Sequence, residues 1–441
     1  MALDPNLYAD LAFRGILKQV TDPGIEAELK SGPVTLYAGF DPTSDSLHVG
    51  SLLPLLTLKR FQLAGHRPIA VVGGATGMIG DPSGKSAERS LLGEEQLAHN
   101  LKGISQVISR FLELEGPSAA RVMNNGDWFK GVSYIDFLRD TGKHFTINHM
   151  MAKESVRARL EDREHGISYT EFSYMLLQAY DFHVLHKREN CRLQIGGSDQ
   201  WGNITAGIEL IRRMKASENV TEGTPEARVA EAFGITHPLV SKADGTKFGK
   251  TEQGTVWLDP KRTSPYQFYQ FFVQAADADI MNFVRFFSFF PHEKILALEA
   301  SVQSAPEKRE AQIALAREVT ALVHGPAELE RAEKASQALF GDSIRDLDER
   351  TLLDVLGGAP STTLPRTQLE GGGLPLIDAL VSTALCASKG AARKDVTAGG
   401  VYVNNARIQD PAAALKGVDL IAGDYVVLRK GKKTYHLVKF G

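Results

Sequence analysis

Cysteine is nearly missing: Cys191 and Cys386 are the only two in 441 residues. Two thiols so far apart in the chain form neither a disulfide framework nor a zinc site by themselves, and both read as packing residues in a reducing compartment. No apolar run approaches the roughly 20 residues needed to cross a bilayer, so no membrane partner is expected. Met1 to Asp10 lacks the basic-then-apolar pattern of a signal peptide, which favours a cytoplasmic location. Net charge is also small, at -3, and alone would discourage a nucleic-acid reading. Its distribution is uneven, however. From Leu374 to Gly441, ten Lys/Arg stand against five Asp and no Glu, leaving 40 basic and 48 acidic residues upstream. What remains is an ordinary globular composition, 43% hydrophobic and 23% charged, long enough for two to four domains.

Three apolar, β-branched runs end in glycine-rich turns and lead into helix-like segments: Val34 to Phe40, Ile69 to Gly73 and Arg192 to Ile195. Strands alternating with helices indicate βα units and a parallel sheet. The mainly helical stretch Gly93 to Asp181 is too long for one crossover and suggests an insertion between two halves of a nucleotide-binding fold. Ser264-Pro265 offers an N-cap and a first-turn proline for an aromatic-rich helical region running to about Asp348. Gly357 to Gly373 has linker composition, and the tail is a small helix-plus-strand module. No internal repeat suggests a solenoid.

Five segments carry chemistry. Tyr37-Ala38-Gly39-Phe40-Asp41-Pro42-Thr43 runs toward Leu47-His48-Val49-Gly50, where a glycine at a helix start admits a flat base and His48 and Thr43 can donate to phosphate oxygens. A plain strand, Asp-Pro turn and helix start explains it equally well. Gly73 to Ser86 contains Gly-Lys-Ser, yet Ile79 stands where a P-loop requires glycine, and the dinucleotide spacing is absent too. Its glycines suggest close backbone approach to a ligand, with Asp81 available for a cation, and a structural turn cluster is the alternative.

Tyr174, Gln178 and Asp181, spaced i, i+4, i+7, share one face of a helix otherwise rich in Met, Leu, Tyr and Phe, which favours a lined pocket over a solvated stripe. In Gln194 to Asn203, the pair Gly196-Gly197 precedes Asp199, which suits ribose hydroxyls or an N-cap. Lys247 and Lys250 lie three apart around Gly249, as a loop closing on a polyphosphate requires, although a basic surface loop looks the same. His183 and His186 lack ligand partners at metal spacing, and no metal site is expected.

Together and in this order the segments resemble the class I aminoacyl-tRNA synthetases, and closely the bacterial-type tyrosyl-tRNA synthetase family, over essentially the whole chain. His48-Val49-Gly50-Ser51 looks like the first signature and Lys247-Phe248-Gly249-Lys250-Thr251 like the second. The resemblance implies that Tyr37 and Asp181 bind the phenol of L-tyrosine. Asp81, Tyr174 and Gln178 would hold its ammonium group, with Gln200 near its carboxylate. ATP would be met by Asp41, His48, Gly50, Gly197, Asp199, Lys247, Lys250 and Thr251. His48, Thr43, Lys247, Lys250, Lys85 and Arg89 would stabilise the reacting phosphates. Ser51 stands where the signature usually has a second histidine, and Ala38 where relatives often offer a polar group.

The implied fold is α/β. Residues 1–235 would form a Rossmann-type parallel-sheet catalytic domain with an inserted helical dimerisation segment, and 236–260 a linking segment with the second signature. An α-helical tRNA anticodon-side domain at 261–350, a flexible linker at 351–373 and an S4-like RNA-binding domain at 374–441 would follow. Lys389, Arg393 and Lys394 of that module would meet tRNA phosphates. The implied reaction makes tyrosyl-adenylate from tyrosine and ATP and transfers tyrosine to its tRNA, with Mg2+ accompanying ATP, no tightly bound cofactor, and a homodimer. The family is itself the standard case of rejecting phenylalanine, by about 10⁵, through a hydrogen bond to the substrate hydroxyl, which removes the need for editing. Competing readings are tryptophan activation, a non-catalytic RNA-binding derivative and a P-loop ATPase. A donor–acceptor pair on the pocket floor, the retained Asp81, Asp181, Lys247 and Lys250, and the failed glycine spacing argue against them in turn.

Overall fold

The computed structural model describes residues 6–83, 92–153, 156–157, 160, 166–217, 232–246, 248–251, 254–338, 342–356, 359–431 and 434–441. They divide into two compact units, one of residues 1–262 with 275–315, the other of 263–274 with 316–441.

The first unit is built on six strands: β1 (Gln19–Val20), β2 (Thr35–Phe40), β3 (Arg67–Val72), β4 (Arg121–Asn124), β5 (Cys191–Gly197) and β6 (Phe233–His237). Their order is β1-β6-β5-β2-β3-β4, parallel throughout except for the antiparallel edge pair β1/β6. Leu36, Ile69, Val71, Leu193 and Ile235 are almost wholly buried, as strands covered on both faces require. The chain steps outward from β2 through β3 to β4 and then returns to set β5 on the other side of β2. The connections after β2 and β5 therefore leave in opposite directions and open a crevice at the strands' carboxyl ends.

Helices Tyr169–Glu189 and Trp201–Ser217 cover the sheet face that carries Tyr37. Phe182 lies 5.3 Å from the Tyr37 ring, and a Cβ on Gly207 would come within 3.0 Å of Phe182, so the two helices approach closely because Gly207 has no side chain. The stretch expected to be one helical insertion, Gly93 to Asp181, contains β4. Its four residues are only half buried at the sheet edge and leave little apolar signal.

The helix Leu52–Leu63, which follows the first signature, is fixed by buried charge. Asp10, 1% exposed, accepts from Arg14 Nε at 2.8 Å, lies 3.5 Å from Arg60 Nη1 and faces His292 Nε2 at 2.9 Å. Arg14 donates to Ser288 O at 3.0 Å and Phe290 O at 2.6 Å, and Arg60 donates to Ser288 O at 2.5 Å. The N-terminal helix, the signature helix and residues 288–292 thus share one ionic node.

In the second unit a five-stranded sheet has the order β12-β11-β14-β15-β9, comprising β9 (Ser361–Leu364), β11 (Val401–Val403), β12 (Ala406–Ile408), β14 (Tyr425–Lys430) and β15 (Thr434–Phe440). Two-stranded pairs complete the set: β7 (Lys250–Thr251) with β8 (Gly254–Thr255) in the first unit and β10 (Leu374–Pro375) with β13 (Ala414–Leu415) in the second. Strand β9 pairs in parallel with β15, so part of the expected linker 351–373 is sheet, and residues 349–356 are helix. Its Ser-Thr-Thr composition resembles a linker because β9 is a half-exposed edge strand. The expected helical region is helical, from Pro265–Val273 to Pro326–Ala338, but it is shared between the units instead of forming one body.

Removing Asp10 leaves buried guanidinium groups without their counter-charge. Asp10→Ala should lower unfolding free energy by about 3–5 kcal/mol, measured by urea denaturation. A loss below about 1 kcal/mol would show that the node is not structural.

Candidate active site

The carboxyl-terminal halves of β2 and β5 and the turns after them gather several of the sequence-predicted residues. Tyr37 is 2% exposed, and its hydroxyl is buried with no hydrogen-bond partner among the described residues. Burial first, then the Asp181 charge and Cys191, hold it well above the ordinary phenol range, so it remains a donor. Asp181, 4% exposed on the helix Tyr169–Glu189, accepts from Trp128 Nε1 at 2.8 Å and Asn125 Nδ2 at 3.0 Å. Burial pushes its carboxyl up to about 7 despite those two donors. A fixed acceptor and an unpartnered donor therefore sit together in an apolar surround formed by Ile69, Val71 and Phe182.

A second polar group lies nearer the strand ends. Gln200 Nε2 donates to Asp81 Oδ2 at 2.6 Å, and Asp81 Oδ1 also accepts from Ser83 N at 2.8 Å. Asn203 Nδ2 bridges Gln178 Oε1 at 3.1 Å and Gln200 Oε1 at 3.2 Å, while Tyr174 is buried on the same helix as Gln178. Burial and then the Asp81 charge raise the pKa of Asp199. A carboxylate such as Asp81, set among amide oxygens, suits an ammonium group. Asp199 lies inside the turn Ser198–Gln200, whose cap position is Gly197, so it is not the N-cap that the sequence left open.

The two signatures meet on the exposed rim. Val49 N donates to Val256 O at 3.0 Å, Val256 N donates to Gly249 O at 2.9 Å, and Leu258 N donates to Leu47 O at 2.9 Å. One extended segment thereby ties the first signature to the second. Gly249 has φ +82°, and a Cβ there would lie 2.6 Å from Val49 Cγ2, so both its conformation and its contact require glycine. Phe248 anchors the loop between Phe283 and Phe287, with ring centroids at 4.7 and 5.3 Å. His48 Nδ1 accepts from Gly50 N at 2.9 Å, which leaves Nε2–H as the outward donor of the neutral ring. Packing around the ring and then the Lys250 charge lower its pKa, although its edge is exposed. Thr43, Lys250 and Thr251 are exposed, and Asp41 half-buried. Lys85, Arg89 and Lys247 lie outside the described residues.

Several glycines serve packing as much as ligand approach. A Cβ on Gly50 would lie 2.6 Å from the His48 ring, one on Gly77 2.7 Å from Pro42, one on Gly74 2.0 Å from Asn124, and one on Gly197 2.4 Å from Asp199. Ala38 is 1% exposed and offers nothing to the crevice. Sequence reasoning missed Asn125, Trp128 and the role of Asn203. The Asn-Asn-Gly turn after β4 was the available signal, hidden once β4 itself was overlooked. Among the described residues no group of three or more His, Cys, Asp and Glu side chains is arranged to hold a metal. In the second unit Lys389, Arg393 and Lys394 are exposed on the helix Lys389–Thr397, and Lys389 Nζ pairs with Asp378 at 2.7 Å. Cys191 and Cys386 are buried and unbridged.

The open parallel sheet with its crevice at the strand ends is the fold of a class I synthetase domain. Residues 29–341 match the family model of tRNA synthetases class I (W and Y), and the chain belongs to that family. Residues 358–438 match the Tyrosine--tRNA ligase SYY-like C-terminal domain. Among its relatives, Tyrosine--tRNA ligase of Opitutus terrae is 52% identical, covering 98% of each chain, and Tyrosine--tRNA ligase 1 of Bacillus subtilis is 51% identical, covering 99% of each. The C-terminally truncated mitochondrial tyrosyl-tRNA synthetase of Coccidioides posadasii superposes with TM-score 0.65 at 31% identity, covering 75% of this chain and 92% of that one.

Asp181 yields a prediction whose sign follows from its raised pKa. Its folded-state value of about 7 exceeds the ordinary value of 3.8, so this group's stabilising contribution is full below pH 4 and is lost as pH rises toward 7. Relative to Asp181→Asn, the ligand-free wild type should lose roughly 4 kcal/mol between pH 4 and pH 8 in urea unfolding. A pH-independent difference would contradict the assignment.

Proposed function

We propose that the crevice binds L-tyrosine with its phenol between Tyr37 Oη and Asp181, and that this geometry underlies the tyrosine–tRNA ligase activity of the family. The observation that carries the reading is the buried, unpartnered Tyr37 hydroxyl beside an oriented carboxylate. An indole has no oxygen to accept from Tyr37, which favours tyrosine over tryptophan. Asp81, Tyr174 and Gln178 receive the ammonium group, and Gln200 lies toward the carboxylate. Asp41, Gly50, Gly197 and Asp199 frame the nucleotide, with Asp199 toward the ribose.

Adenylate formation requires no protein nucleophile. The tyrosine carboxylate attacks the α-phosphate, a new oxygen–phosphorus bond forms, and pyrophosphate leaves. The protein aligns the two substrates and neutralises developing charge. His48 Nε2–H and the Thr43 hydroxyl donate to phosphate oxygens, and Lys250, with Lys247, Lys85, Arg89 and Thr251, faces the departing pyrophosphate. Mg2+ accompanies ATP as part of the substrate complex. In the second step a terminal ribose hydroxyl of tRNA attacks the mixed anhydride, and AMP leaves. Lys389, Arg393 and Lys394 meet tRNA phosphates.

We also infer a homodimer. Tyr134, Ile135, Ile147 and Tyr169 are 58–68% exposed, an apolar set that supports a surface covered by a second copy, and the Tyr134 and Tyr169 hydroxyls lie 3.0 Å apart. Cytoplasmic work fits the two free thiols. No described helix is long and apolar enough to cross a membrane.

Purified protein should exchange labelled pyrophosphate into ATP with tyrosine and not with tryptophan or phenylalanine. In Tyr37→Phe the KM for tyrosine should rise about tenfold, the worth of one net hydrogen bond. Its melting temperature should be unchanged or higher, because an unpaired buried group is removed. An unchanged KM would remove Tyr37 from the site.

A further inference from the structure

The loop that carries Lys247 and Lys250 is preceded by a small turn that closes on itself. Lys242 N donates to Thr246 O at 3.1 Å and Gly245 N to Lys242 O at 2.9 Å, while Asp244 Oδ1 accepts from Thr246 N at 2.8 Å and from its hydroxyl at 2.6 Å. Gly245, at φ +80°, takes the left-handed position that such a turn requires. Ala243 to Thr246 are exposed, and the turn needs no outside partner to form. It has one nevertheless: Ala243 N donates to Asp279 Oδ1 at 2.6 Å. Asp279 is only 6% exposed. It lies in the first turn of the helix Asp277–Phe287, and Phe283 and Phe287, the two rings that grip Phe248, follow it at i+4 and i+8. One helix face therefore holds the loop at two points, Ala243 and Phe248, and the sequence places Lys247 directly before the second. The helix is itself fixed at its start, where Gln312 Nε2 donates to Asp277 Oδ1 at 2.6 Å and Arg309 Nη2 to Ala275 O at 2.8 Å.

We propose that Asp279 is a positioning residue: its carboxylate docks the Lys242–Thr246 turn on the helix Asp277–Phe287 and so sets where the signature lysines stand when pyrophosphate leaves. The proposal rests on the reading of Lys247 and Lys250 as phosphate-facing groups. A carboxylate in the first turn favours a helix through its dipole, and an exposed one does so without the cost of desolvation. Burial of Asp279 against the backbone N–H of an exposed turn is explained by the turn and not by the helix. Because the turn's own hydrogen bonds already give it shape, the Asp279 bond decides its place and not its fold. Phe248 alone fixes one point, about which the preceding residues can pivot, and a second anchor at Ala243 removes that freedom. Moving a charged group by about 1 Å from its reacting partner can cost about a hundredfold in rate, so the bond acts on the chemical step. Its effect falls on kcat and not on tyrosine binding, which depends on Tyr37, Asp81 and Asp181.

The test compares the full-length wild type with Asp279→Ala, which removes the acceptor, and Asp279→Asn, which keeps an amide oxygen in its place and loses the charge. Both variants forfeit the same charge–dipole interaction, so both should melt at a slightly lower temperature. In tyrosine-dependent pyrophosphate exchange, kcat should fall at least about tenfold in Asp279→Ala and stay within about threefold of wild type in Asp279→Asn, with the KM for tyrosine unmoved in both. Limited trypsin digestion, read by mass spectrometry, should cut after Lys242 and Lys247 faster in Asp279→Ala alone. A kcat unchanged in Asp279→Ala, a kcat lowered equally in the two variants, or trypsin cutting no faster in Asp279→Ala would assign Asp279 to the helix and overturn the proposal. A wild type without tyrosine-dependent exchange would defeat the tyrosine reading and the role given to Asp279 with it, whereas failure of the proposal alone leaves wild-type exchange intact.

Discussion

The parallel pairing of β2 with β5 is the constraint from which the site follows. These strands are neighbours in space but separated in sequence by β3, β4 and the helices between them. Their juxtaposition sets Tyr37 beside Gln194 and brings the loop carrying His48 to the same end of the sheet as the turn carrying Asp199 and Gln200. Sheet geometry alone produces this crevice, whatever side chains line it. The side chains then decide which ligand it takes.

Polarity inside the crevice is costly to the fold and useful to the ligand. Asp181 is kept in an apolar surround by two fixed donors, and burial still pushes its carboxyl up to about 7. Tyr37 and Gln194 each hold a buried polar atom without a hydrogen-bond partner among the described residues. Stabilising structure is concentrated elsewhere, at the Asp10–Arg14–Arg60 node and in the aromatic packing of Phe248 on Phe283 and Phe287. The second of these holds the lysine-bearing loop against the first signature through Val49 and Gly249.

Much of the site was legible in the chain because its residues sit where periodicity changes, at strand ends followed by glycine and at i, i+4, i+7 on one helix. Tyr37, Asp81, Gln178, Asp181 and Gln200 converge as that pattern suggests. What the sequence hid depends on pairing between distant segments. Strand β4 is short and half-exposed, so the turn bearing Asn125 and Trp128 passed for part of an insertion. Strand β9 has linker composition, and only its partner β15 makes it a strand. Gly50, Gly74 and Gly77 are explained by side chains from elsewhere, His48, Asn124 and Pro42, which no local motif reveals.

The central claim is the placement of the phenol, and a crystal structure of the protein with bound tyrosine tests it most directly. The account predicts the phenol oxygen within hydrogen-bond distance, about 3 Å, of both Tyr37 Oη and an Asp181 carboxylate oxygen, with the ammonium group at Asp81 and Gln178. A tyrosine bound in the reverse sense, or one whose phenol oxygen leaves the Tyr37 hydroxyl unpaired, would contradict it.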